Sequence, residues 1–171
     1  MNKREKAIPQ VVKIYTDGAI RPGKKASGLA VIVRDEQDRI HHWWKRREGA
    51  LTCNEAEYAA VIFAFNKLLQ TYGAKKISTV SVYSDSRILV DQMSGRAAAH
   101  SPGLRKAMQH LRPLISRFNK VTFHHISREQ NRLADALAFE AVEGLPHENQ
   151  PEHQQPDLDL WEQYEATWRA L

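Results

Sequence analysis

The chain has one cysteine, Cys53. No disulfide framework can be built from it, which points to a reducing, cytoplasmic setting. No apolar run is long enough to span a bilayer, so no membrane partner is expected. Met1–Gln10 is a short basic arm without the apolar stretch of a secretory leader. No internal repeat is visible beyond two strands that end alike. The body is also short of acids: residues 1–143 carry 24 bases against 14 acids, whereas residues 144–171 hold six acids and one base. A basic globular body suits a polyanionic partner, nucleic acid first, although charge alone fits a solvated basic surface equally well. The 171 residues make one domain with enough apolar residues to close a core.

The two like strand ends carry the most information. Ile14-Tyr15-Thr16-Asp17-Gly18 and Val82-Tyr83-Ser84-Asp85-Ser86 each read as a β-branched and aromatic strand that stops at an aspartate. Tyrosine and aspartate two residues apart share a face of the strand. If the strands pair side by side and parallel, the carboxylates lie at one end of the sheet, ~5 Å apart. Two such carboxylates repel unless a cation lies between them, which suggests a metal-dependent hydrolase of phosphate esters.

Strands are predicted at Val11–Asp17, Gly28–Arg34 and Arg39–Arg47, joined by short polar turns. A long helix follows from Thr52 to Tyr72, closed by Gly73. The fourth strand spans Lys76–Asp85 and a short helix Ser86–Met93. Another helical stretch starts at Ser101-Pro102 and runs towards Phe118, broken near Pro113. Val121–Ile126 makes the fifth strand and Gln130–Val142 the last core helix. This order predicts an α/β mixed sheet with helices packed on it.

Capping separates the glutamates. Thr52-Cys53-Asn54-Glu55 fits a capping box, which assigns Glu55 to the helix end. Glu57 instead lies on the side of the helix that carries Ala60, Val61, Ala64 and Leu68. A carboxylate on that sheet-facing side is costly unless something pairs with it, and it can join the cation site. Ser127-Arg128-Glu129-Gln130 is a second capping box. Asp135 follows between Leu133, Ala134, Ala136 and Leu137, a stripe where an aspartate is poor for helix propensity and for burial; alone it reads equally as an exposed or partly capping acid, and beside Asp17, Glu57 and Asp85 as a fourth ligand. Four carboxylates in one cleft favour two hard divalent cations, Mg²⁺ or Mn²⁺.

Four segments together resemble the type 1 ribonuclease H family. They are Tyr15-Thr16-Asp17-Gly18-Ala19, Thr52-Cys53-Asn54-Glu55-Ala56-Glu57-Tyr58, Tyr83-Ser84-Asp85-Ser86 and the run from Ser127 to Asp135. They occur in the family's order over residues 11–142. The resemblance implies a ribonuclease H-like fold, with a five-stranded mixed sheet flanked by helices. It implies a catalytic and metal-binding set of Asp17, Glu57, Asp85 and Asp135, with Asp17 bridging two metals. It implies an endonuclease that hydrolyses the RNA strand of RNA/DNA hybrids to 5′-phosphate and 3′-hydroxyl ends. For the substrate it implies the backbone near Gly18 and Asn54, and Thr52, Arg128 and Asn131 are further candidate contacts.

The chain also departs from the family. The loop before the last helix is short and lacks the histidine of the best-known bacterial members, which resembles the archaeal-like branch. Arg128 stands in that region, while His124 and His125 lie upstream in the strand. Cys53 occupies the first of two positions that are often asparagine, leaving Asn54 as the better substrate contact. The basic, tryptophan-rich protrusion is missing between Asp85 and Val121. Arg105, Lys106 and Arg112 can hold phosphates or form a solvated helix face. His41–Arg47 mixes aromatics with bases and reads first as a strand with alternating core and surface residues.

The domain layout is then a basic arm at 1–10, a catalytic domain at 11–143, a Pro-rich polar linker at 144–157 and an amphipathic helix at 158–171. That helix can dock in cis or bind a protein partner. Two alternatives to the ribonuclease reading remain open. One is a non-catalytic nucleic-acid-binding module on the same fold, which loss of any of the four acids would have favoured. The other is another nuclease on this fold, a 3′–5′ exonuclease or a reverse-transcriptase-derived piece. The Ala56-Glu57-Tyr58 context argues against the exonuclease.

Overall fold

A computed structural model describes residues 9–144 apart from Pro22. The expected helix at 158–171, the linker beyond Gly144 and most of the N-terminal arm lie outside the described residues. The elements are β1 (Val11–Ile20), β2 (Ala26–Arg34), β3 (Ile40–Gly49), α1 (Cys53–Thr71), β4 (Thr79–Ser84), α2 (Arg87–Met93), α3 (Pro102–Ile115), β5 (Lys120–His125) and α4 (Arg132–Glu143). Short 3-10 turns occupy Ala74–Lys76 and Arg128–Asn131.

The five strands form one mixed sheet in the order β3-β2-β1-β4-β5. β1–β2 and β2–β3 are antiparallel, and β1–β4 and β4–β5 are parallel. This is the expected fold class. Period-2 alternation sorts β1 onto two faces: Val12 and Ile14 pack towards α1, Tyr15 towards α4. The α1 face holds the larger core, in which Leu29, Val31, Val33, Val80 and Val82 meet Val61, Ala64, Phe65 and Leu68. α3 packs on α1 rather than on the sheet. On the opposite face Ala134, Leu137 and Ala138 of α4 cover Ala30 and Ile32. Gly28 makes that contact possible, since a Cβ there would overlap the Ala138 carbonyl. β3 behaves as the alternating strand expected of His41–Arg47: Trp44 packs on the larger core and Trp43 on the smaller. Lys45 reaches Glu140 of α4 at 2.8 Å.

Among the boundaries that differ from the sequence expectations, four have a clear physical cause. β1 does not stop at Asp17 but runs to Ile20, because β2 continues beside it with Asp17 opposite Ala30 and Ile20 opposite Ser27. β4 begins at Thr79 rather than Lys76, since Ala74–Lys76 closes a 3-10 turn after Gly73, whose φ is +76°. α3 is not broken at Pro113. That proline sits in the last turn, and Ser116 closes the end by donating its N–H to Arg112 and its hydroxyl to the Pro113 carbonyl. The last helix starts at Arg132 rather than Gln130, because the Ser127–Gln130 capping box closes the 3-10 turn first. Among the described residues, no helix is long and apolar enough to cross a membrane.

Candidate active site and metal centre

β1 and β4 run parallel in register up to Tyr15 opposite Tyr83. The two rings stack with centroids 4.9 Å apart. Two residues further on, Asp17 and Asp85 continue the same face, as the period of a strand requires. The β1–β4 pairing has ended by then. β1 carries on along β2, whereas β4 turns through Asp85 into α2, capped by Ser86, whose Oγ accepts from the Leu89 N–H. The site opens where these parallel strands part.

Glu57 reaches it from the α1 face. Gly18 allows this approach: a Cβ there would overlap the Ala56 carbonyl and the Glu57 amide. The Gly18 N–H donates to the Glu57 carboxylate. The other Glu57 oxygen, Oε2, is buried without a hydrogen-bond partner. One carboxylate oxygen from each of Asp17, Glu57 and Asp85 lies within 4.8 Å of the others. Glu57 therefore joins the two strand-end aspartates.

The electrostatics follow from that crowding. Asp17 is 5% exposed. Burial first, then the charges of Asp85 and Asp135, push its carboxyl up to about 7, with Arg128 offsetting part of the effect. Burial and then Asp17 and Asp85 hold the Glu57 carboxyl well above the usual range. A buried carboxylate with one unpartnered oxygen, beside two further carboxylates, is unfavourable by itself. An all-oxygen, anionic donor set is the kind that holds a hard divalent cation, so these residues fit one.

Asp135 stands apart from the trio. It lies in the first turn of α4 with its Oδ1 3.1 Å from Arg128 Nη2. Its charge still bears on Asp17 and Glu57. Glu55 does what its spacing predicts. The Thr52 N–H and hydroxyl both donate to its Oε2 at 2.9 Å, and its own N–H donates to Thr52 Oγ1 at 3.3 Å. Its other carboxylate oxygen lies against Gly103 of α3, away from the three acids.

The substrate candidates are spread around this centre. Thr52 is exposed at the start of α1, and Asn54 is half-buried one position into that helix. Gly18 is half-buried against α1, and Arg128 is exposed on the 3-10 turn. Asn131 is only 1% exposed and bonds to protein groups. Its burial has no signal in the sequence, where Gln130-Asn131-Arg132 reads as a polar helix start. The close approach at Gly18 is equally silent, since glycine after a strand aspartate reads first as a turn.

A family model described as reverse transcriptase-like matches residues 15–141. Ribonuclease HI of Halobacterium salinarum is 31% identical over 140 residues, covering 77% of this chain and 64% of that protein. A bifunctional protein of Mycobacterium tuberculosis is 31% identical over 134 residues, and the chain spans only 35% of its length. Among solved structures, LC11-RNase H1 in complex with an RNA/DNA hybrid superposes with a TM-score of 0.73 at 32% identity, covering 77% of this chain and 96% of that one. The four sequence segments, the sheet order and these likenesses agree, and the chain belongs to the type 1 ribonuclease H family.

Proposed function

We propose that this chain is a metal-dependent endonuclease that cuts the RNA strand of RNA/DNA hybrids in the cytoplasm, leaving 5′-phosphate and 3′-hydroxyl ends. The observation that carries the reading is the trio of Asp17, Glu57 and Asp85, with its buried, unpartnered Glu57 oxygen, at the open end of two parallel strands. Those three residues would hold Mg²⁺ or Mn²⁺, and Asp135 would complete the set from the first turn of α4. When bound, a pair of such cations supplies an activated water and stabilises the leaving 3′ oxygen.

The protein's own contribution is placement. β1 and β4 present two acids on one face, and the Gly18 N–H fixes the third from the other side of the sheet. Burial of Asp17 keeps bulk water from screening the charges that hold the cations. The exposed Arg128 guanidinium beside Asp135 can take a backbone phosphate. The Gly18 backbone, Thr52 and Asn54 line the start of α1, from which the 2′-hydroxyls that separate RNA from DNA can be read. LC11-RNase H1 binds such a hybrid, which supports the same substrate here.

The test is a labelled RNA/DNA hybrid offered beside RNA duplex, DNA duplex and single-stranded RNA, with Mg²⁺, Mn²⁺ or excess chelator. Internal cleavage of the RNA strand of the hybrid, lost in chelator, is expected. Cleavage of the DNA strand, or full activity in chelator, overturns the reading.

A further inference from the structure

Asn131 lies directly beneath the acids. It is 1% exposed, at the end of the 3-10 turn that leads into α4. Its Nδ2 donates to the Thr16 carbonyl at 3.0 Å and to Asp85 Oδ1 at 3.2 Å. Both partners are pure acceptors, so the amide nitrogen, not the oxygen, must face them. The first bond lands on β1 beside Asp17, and the second on the carboxylate after β4. They bridge the two strands just past Tyr15–Tyr83, where the strand pairing itself has ended.

We propose that Asn131 is a positioning residue: it ties the Asp85 carboxylate to the β1 backbone next to Asp17 and so sets the gap between the two acids before a cation arrives. The inference rests on the metal-centre reading above. A side chain at this point must be neutral and must offer two N–H donors. An aspartate would bring another carboxylate against Asp85, a serine offers one donor, and an alanine leaves both acceptors unmet. Asn131 is too deeply buried to touch a substrate, so its effect on catalysis runs through Asp85. Groups that orient a metal ligand in this way typically govern metal affinity and rate about 10–100-fold.

The experiment compares Asn131→Ala and Asn131→Ser with the native protein. Mn²⁺ binding to the free protein is read by calorimetry, hybrid affinity is read in chelator, and kcat and KM are read in Mn²⁺. Asn131→Ala is expected to lower Mn²⁺ affinity and kcat each by about 10–100-fold, with KM and metal-free hybrid affinity unchanged. Asn131→Ser, which keeps one donor, falls between, and it carries the same criteria if the alanine variant does not fold. A folded variant with native Mn²⁺ affinity and native kcat overturns the proposal. So does a raised KM at unchanged kcat, which would make Asn131 a substrate contact. If the native protein binds no Mn²⁺, or if Asp85→Asn binds it as tightly as the native protein, the metal-centre reading itself has failed.

Discussion

Removing the charge of Asp17 should stabilise the metal-free protein and flatten its response to pH. Burial and neighbouring acids push the Asp17 carboxyl up to about 7, from an ordinary value of 3.8. An acid with a higher pKa folded than unfolded binds more protons in the native state between those two values. Stability therefore falls as pH rises through that window and is regained as pH drops from about 7 towards 4. At about 1.4 kcal/mol per unit, a shift of this size opposes folding above pH 7 by on the order of 2–4 kcal/mol. Only about two of the roughly three pK units are recovered by pH 5, so at about 3–4 °C per kcal/mol for a domain of this length the melting temperature in chelator should rise by roughly 4–10 °C between pH 8 and pH 5. Asp17→Asn should show much of that gain already at pH 8 and a shallower slope below it, the remainder coming from the buried Glu57 carboxyl. Saturating Mg²⁺ should raise and flatten the native curve too, because it stabilises the charged form that the proton otherwise neutralises. Calorimetry at pH 8, 6.5 and 5, with chelator or Mg²⁺, reads all three effects. A native melting temperature in chelator that climbs with pH over this range would refute the reasoning. So would an Asp17→Asn variant less stable than the native protein at pH 8 in chelator.

Glu57→Gln should slow hybrid cleavage by about a hundredfold or more, near 3 kcal/mol of barrier, while Glu55→Gln, which can still complete its capping box, should cleave at the native rate. Equal losses in the two would show that the acids of α1 are misassigned. Gly18→Ala should cost about 1–3 kcal/mol in urea unfolding and most of the activity, because the new methyl group forces α1 off β1 where Glu57 enters; native activity would mean that this close contact does not set the site. Tyr58→Phe removes the buried 2.9 Å bond to Gln92 Oε1. It should cost about 1–3 kcal/mol in the same assay with kcat preserved, and a loss of kcat larger than the loss of folded protein would place Tyr58 in the site.

Much of the candidate site was legible because its signals are local. Alternation over Tyr15-Thr16-Asp17 and Tyr83-Ser84-Asp85 put each acid on a known face of its strand, and the structure stacks the two tyrosines beneath them. The step from Glu55 to Glu57 turns a helix by about 200°, so one caps while the other faces the sheet. What escaped the sequence depends on contacts between distant segments. β1 outruns Asp17 only because β2 is beside it, 13 residues away at the Asp17–Ala30 pair. The meeting of Gly18 with Ala56 and the burial of Asn131 under Asp85 join segments 38 and 46 residues apart. The pairing of Asp135 with Arg128 is decided by a 3-10 turn ahead of α4 rather than by the helix stripe around the acid. The sequence by itself determined which acids could gather, through strand period, helix period and capping, all of which act within a few residues. Only the tertiary structure decided how far apart they stand and what holds them there, because packing and hydrogen bonding across the sheet obey no spacing along the chain.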